Sequence, residues 1–158
     1  MKKALIAYFS ASGTTKKLAD KLGTVMDADM FEIQAKTPYT MADLDWQNEE
    51  SRSSVEMNDR NSRPSILTKV ADMHQYDMIL IGFPIWWYRE PSIIDTFVES
   101  YDFHGKTLVP FATSGGSGLG DSASNLAALA KGAIVKNGKR FRTNVSEKEL
   151  AAWVQTLL

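Results

Sequence analysis

Four hydroxyl side chains and a glycine fall within six residues at Ser10-Ala11-Ser12-Gly13-Thr14-Thr15. Ahead of a helix, such a stretch aims O–H and backbone N–H donors at one point, where the helix dipole favours an anion; that is the chemistry of a phosphate cradle. No lysine or arginine lies inside it, so a phosphate there would be held by neutral donors. It lacks the G-x-x-x-x-G-K-[ST] of a P-loop and the G-x-G-x-x-G of a dinucleotide fingerprint. Taken alone, it reads more readily as a Ser/Thr helix cap.

Two further stretches carry unusual composition. Pro84-Ile85-Trp86-Trp87-Tyr88 places three consecutive aromatics in a loop bounded by Pro84 and Pro91, where they cannot all face a core. Aromatic faces stack on flat conjugated rings, contributing about 0.5–1.5 kcal/mol per pair beyond burial. A patch for a protein partner would use the same residues. Ser114-Gly115-Gly116-Ser117-Gly118, followed by Gly120, allows close backbone approach to a ligand and aims amides at its polar edge. By its glycines alone it is a flexible turn.

Where these stretches meet depends on the strands and helices on either side of them. Ala4 to Phe9, Met78 to Phe83 and Thr107 to Thr113 are short, nearly continuous apolar runs, as expected of strands covered on both faces. Met30 to Gln34 and Ala133 to Val135 read as weaker strands. Between them lie helical patterns: Leu18, Leu22, Val25 and Met26; Ile93, Ile94, Phe97, Val98 and Tyr101 after a capping-box-like Ser92 and Asp95; Asp121 to Ala130; and Leu150, Trp153, Val154 and Leu157 after Ser146 and Glu149. A further helix is expected after Pro64 and Ser65, with Ile66, Val70 and Met73 on its inner side. Strand and helix alternate, which implies crossover connections and a doubly wound α/β fold with a parallel sheet between two helical layers. In such folds ligands sit beyond the carboxyl ends of the strands, the edge on which all three stretches fall. Thr37 to Arg63 breaks the rhythm as a long polar excursion with room for a helix of its own.

Composition narrows the chemistry. The 158 residues hold no cysteine and only two histidines, His74 and His104, which removes disulfides, thiolate metal sites, a cysteine nucleophile and an imidazole metal site. No metal and no catalytic side chain is expected, and any redox chemistry must come from a bound cofactor. A net charge of -1 gives no attraction for nucleic acid. The apolar run at Ala4 to Phe9 is too short for a signal peptide and none approaches a membrane span, so a cytoplasmic protein is expected, a single domain over residues 1–158.

A phosphate cup, an aromatic slab and a glycine-rich amide loop on one sheet edge are the parts that hold a phosphorylated planar heterocycle. With these residues the chain resembles the flavodoxins, most closely a compact bacterial subgroup. Ser10 to Thr15 resembles their FMN phosphate loop, Pro84-Ile85-Trp86-Trp87 their flavin-stacking loop and Ser114-Gly115-Gly116-Ser117-Gly118 their third flavin loop. The likeness runs over essentially the whole chain, including Asp43-Leu44-Asp45-Trp46 and Arg63-Pro64. It implies five parallel strands in the order 2-1-3-4-5 with FMN at the switch point. It also implies electron transfer through the non-covalently bound isoalloxazine, with backbone groups of Ile85 to Tyr88 and of Ser114 to Gly118 on the edges of the ring. The partners would be a redox protein or a small-molecule donor or acceptor, the chain acting as a monomer or weak homodimer without membrane insertion. Two features depart from the family: the charge is nearly neutral where carriers are commonly acidic, and Tyr88 stands where a small residue often occurs. An NAD(P)H-dependent enzyme reducing quinone-like acceptors, or a nonredox FMN-binding module, is therefore the alternative.

Overall fold

The computed structural model describes residues 3–114 and 118–158; Gly115, Gly116 and Ser117 of the third stretch lie outside the described residues. In chain order the elements are β1 (Ala4–Tyr8), α1 (Thr14–Val25), β2 (Asp29–Glu32), α2 (Arg52–Asn58), β3 (Met78–Pro84), α3 (Ser92–Glu99), β4 (Thr107–Thr113), α4 (Ser122–Leu129), β5 (Ile134–Val135), β6 (Lys139–Phe141) and α5 (Glu147–Gln155).

Every residue of β1 is buried, because successive side chains enter opposite layers and both layers are apolar. Leu5, Ala7 and Phe9 join Ile93, Ile94 and Phe97 of α3, while Ala4, Ile6 and Tyr8 join Leu18 and Leu22 of α1 and Trp153 and Val154 of α5. The strands run β2-β1-β3-β4-β5, all parallel, as the resemblance implied.

A sixth strand lies beyond the five that the resemblance implies. The edge of β4 is shared: Thr107 and Leu108 pair with β5, and Phe111 to Thr113 pair in parallel with β6. Pro110 lies at the break. Its carbonyl faces Gly138 just ahead of β6, where a Cβ would come within 1.8 Å of it. The ring nitrogen on that same side has no hydrogen to donate to a continuous neighbour. Three residues, two of them charged, carried no strand pattern of their own.

Two local expectations are corrected. The segment after Pro64 forms no α-helix. Ile66 makes an antiparallel bridge to Ala35, Lys36 N donates to Ser65 O at 2.8 Å and Leu67 N to Gln34 O at 2.8 Å, and helical geometry returns only as a 3-10 turn at Met73–Gln75. The β-branched Ile66, Thr68 and Val70 suit an extended path, which brings Ile66 and Val70 against the core without helical spacing. Ser92 does not cap α3; Pro91 occupies the cap position, and the Ser92 hydroxyl donates to Glu56 O at 3.3 Å. The Ser146 cap on α5 forms as expected, its hydroxyl accepting from Glu149 N at 3.1 Å. Among the described residues no helix is long and apolar enough to cross a membrane, and no cluster of His, Asp or Glu could hold a metal ion.

Candidate functional site

β1, β3 and β4 all end at one edge of the sheet, and the segments that leave them there are the ones whose composition stood out. In the first, Ser10 and Thr15 are committed to structure. Ser10 Oγ accepts from Gly13 N at 3.0 Å, and the Thr15 hydroxyl, 1% exposed, meets Thr113 Oγ1 at 2.9 Å, tying α1 to the end of β4. Gly13 opens the helix at φ 91 with only open space where a Cβ would stand. The amides of the first helical turn have no partner within the helix. Ser12 and Thr14, their hydroxyls 3.3 Å apart, line a cavity of about 520 Å³ beside them.

Trp86 to Arg89 form a two-residue hairpin, with Trp86 N donating to Arg89 O at 3.0 Å and Arg89 N to Trp86 O at 3.2 Å. Its central residues, Trp87 and Tyr88, have φ of 49 and 64, the double left-handed pair of a type I′ turn. Gly or Asn usually fills these positions, since a Cβ in the left-handed region costs about 1–2 kcal/mol per residue. Three things hold the turn. Asp121 N donates to Tyr88 O at 3.2 Å. Gly120, at φ 57, packs so closely on that carbonyl that a Cβ would lie 1.8 Å from it. The Arg89 guanidinium is buried and donates to Met57 O and Glu90 O, each at 3.2 Å.

The three aromatics divide accordingly. Trp86 turns inward, edge-on to Phe9 at 5.7 Å and to Tyr39 at 5.6 Å. Trp87 and Tyr88 are left 39% and 74% exposed. The polar excursion then closes the other side. Arg52 stacks over the Tyr39 ring at 3.8 Å and pairs with Glu56 at 2.8 Å, and Ser53 N donates to Asp43 O at 3.0 Å. Burial, together with the hydrogen bond to Glu56, pushes the Tyr39 phenol upward. Leu44, Trp46 and Ser53 so come to face Ala11, Ser12 and the Pro84 to Tyr88 loop across a cavity of about 550 Å³. None of these three was singled out as a site residue; an exposed tryptophan in a polar run was the available signal.

The two cavities share Ser12 and Pro84 in their walls, and each falls in the range of small-molecule sites, about 300–1,000 Å³. Of the third stretch, Ser114 lines the smaller cavity, facing Arg142, Thr143 and Asn144. Those three follow β6, which is why spacing along the chain could not connect them to Ser12. Gly118 is exposed, with open space about it.

Beneath the hairpin lies a buried charge cluster. Arg89 approaches Asp95 at 3.4 Å and Glu90 at 3.8 Å, with Arg63 at 4.0 Å from Asp95 but turned mainly to Glu99. One fully buried cation thus faces two carboxyls. Burial first, and the adjacent Asp95 second, push the Glu90 carboxyl up to about 8, favouring its protonated form, while Asn125 Nδ2 donates to it at 3.1 Å.

The sequence and fold have close counterparts. The model of the flavodoxin family matches residues 3–157. A Bacteroides eggerthii protein named as a flavoprotein is 47% identical, with 99% of this chain and 98% of that one covered and a TM-score of 0.93. A second, from Bacteroides uniformis, is 44% identical over 98% of each chain, with a TM-score of 0.92. A Lactobacillus acidophilus flavoprotein, solved in complex with FMN, is 27% identical over 98% of this chain and 99% of that one, with a TM-score of 0.71. No curated protein sequence matches the chain.

Proposed function

The chain belongs to the flavodoxin family, and on that premise we propose that it holds FMN non-covalently at the carboxyl edge of its sheet and transfers electrons through it between a donor and an acceptor of the cytoplasm. The observation that carries this reading is the convergence of an open helix N-terminus at Gly13, an exposed aromatic hairpin and two adjoining cavities on one edge. The FMN complex of the Lactobacillus acidophilus relative supports it.

Bound FMN would supply reversible one- and two-electron chemistry at its isoalloxazine. The protein's residues do the rest. Ser12, Thr14 and the first-turn amides, Thr15 N among them, hold the phosphate. Trp87 and Tyr88 offer ring faces, while the peptide groups between Ile85 and Tyr88 that the hairpin and its clasp leave over, with those of Ser114 and Gly118, hydrogen-bond the ring edge. Leu44 and Trp46 keep water from one side. An aromatic, largely apolar wall raises the free energy of negative charge on a reduced ring and so lowers the potential of that couple. No side-chain acid or base is required.

A second reading, reduction of quinone-like acceptors with a nicotinamide donor, draws on the exposed Trp46 and Tyr88, 70% and 74%, which leave room for a flat acceptor beside the flavin. The near-neutral charge favours it too, offering little steering toward a protein partner. The first test is the visible spectrum of the purified protein and its quenching of added FMN fluorescence. A colourless protein that quenches nothing overturns both readings. Rapid reduction of the loaded protein by NAD(P)H alone selects the enzyme, and dependence on a separate reductase selects the carrier.

A further inference from the structure

The stretch from Ser10 to Thr15 contains no cation, yet the folded chain brings one to it. Arg142 is the charged residue in the wall of the cavity that Ser12, Thr14 and Ser114 share with Thr143 and Asn144. Its place follows from register. Thr113 pairs with Phe141 at the end of the β4 and β6 ladder, so the next step along both strands sets Arg142 beside Ser114. The backbone there is held from both sides. Phe141 is 3% exposed and lies edge-on to Trp153 at 5.1 Å, and the buried Val145 donates its N–H to Arg142 O at 3.1 Å. The side chain itself is exposed, and among the described residues no hydrogen bond or ion pair occupies its guanidinium. Glu149 shares a neighbouring cavity with it but stands beyond ion-pair distance.

We infer that Arg142 is the cationic partner of the cofactor's phosphate, so that this chain recognises FMN by a charge that its phosphate loop lacks. The inference rests on the FMN reading above. An arginine fork suits a phosphate, and hydrogen bonds between ionised groups are about twice as strong as neutral ones. Arg142 therefore sets the preference for the phosphorylated flavin over riboflavin, which differs from FMN only in lacking that group. β6, a strand outside the five-stranded order, is the element that delivers it.

The test is a fluorescence titration of FMN and of riboflavin into the intact protein, its Arg142→Gln and Arg142→Lys variants, and a Lys139→Gln control. The control removes the same charge from the adjoining cavity, outside the wall that Ser12 lines. R142Q is expected to weaken FMN by roughly five- to twentyfold, to leave riboflavin unchanged and to flatten the salt dependence of FMN binding between about 20 and about 500 mM. R142K should recover part of the loss, and K139Q should stay within about twofold, as for a solvent-screened charge. Equal FMN affinity in R142Q and wild type overturns the inference. So does an equal loss for riboflavin, or a loss as large in K139Q, which would mark a diffuse field. If the wild-type protein binds neither flavin, the FMN reading itself has failed; if it binds both alike, only the role of the phosphate has.

Discussion

Trp87 and Tyr88 sit in backbone conformations that a Cβ disfavours, and the surrounding structure over-determines them through the two hairpin bonds, the Tyr88 carbonyl and buried Arg89. Strain of this kind persists where a side chain is needed in a place the backbone would rather give to glycine. At Tyr88 the side chain, 74% exposed, contributes little to the core, so its retention there is a matter of the surface it presents. Replacing it separates the two effects. Tyr88→Asn keeps a residue that tolerates the left-handed region and removes the aromatic face. Its stability to urea should rise by about 0.5–1 kcal/mol. Its FMN affinity should fall by an amount comparable to one aromatic pair, about 0.5–1.5 kcal/mol. A variant that is less stable at an unchanged m-value would show that the turn is unstrained. The same division is visible between Ser10 and Thr15, where the buried Thr15 hydroxyl braces Thr113 while Ser12 stands exposed.

Between elements, the hairpin after β3 and the segment before α4 are clasped at one point, Gly120 against Tyr88 O. Gly120→Ala has to relieve both a 1.8 Å contact with backbone and a φ of 57, and should cost at least about 2 kcal/mol in urea or thermal unfolding. Gly118→Ala, two residues earlier and facing open space, should stay within about 0.5 kcal/mol. Equal losses at the two positions would mean that the clasp carries no weight. This scale also shows what the chain declared in advance and what it hid. The strands β1, β3 and β4 announced themselves because burial on both faces demands continuous apolar runs, and a single cap at Ser146 marked α5. The hydroxyl loop and the aromatic loop were legible for a related reason: their composition has no use in a core. The path after Pro64 was not legible, since apolar residues at helical spacing are satisfied there by an extended segment bridged to Ala35. Trp46 left only the weak signal of a tryptophan in a polar run, and the places of Arg142 and β6 were hidden because they depend on what is faced across the fold, which no local pattern encodes.

For the molecule as a whole, the buried cluster under the hairpin joins α2, α3 and α4 to the site: Arg89 reaches Met57 O, Asp95 lies on α3, and Asn125 of α4 contacts Glu90. Glu90 is 0% exposed and its carboxyl is raised from 4.5 to about 8, so the folded state holds a proton that the unfolded chain releases. The sign follows from proton counting. Below about pH 4.5 both states are protonated and the contribution is fully present; between there and about pH 8 the folded state binds more protons, so stability falls as pH rises through that window. The slope from one such group is at most about 1.4 kcal/mol per pH unit. Asp29, held below its ordinary value by its hydrogen bond to Tyr76, acts in the opposite direction and only in acid, outside the window. Urea unfolding at intervals from about pH 5 to about pH 8.5 should therefore show the wild type losing stability with rising pH. Glu90→Gln, an isostere of the protonated acid, keeps the contact region with Asn125 and has no proton to lose. Its stability should lack this fall and exceed that of the wild type at the alkaline end, while both proteins share every other titrating group. Parallel pH profiles for the two would show that Glu90 is ionised in the fold and that Arg89 neutralises both carboxyls at once.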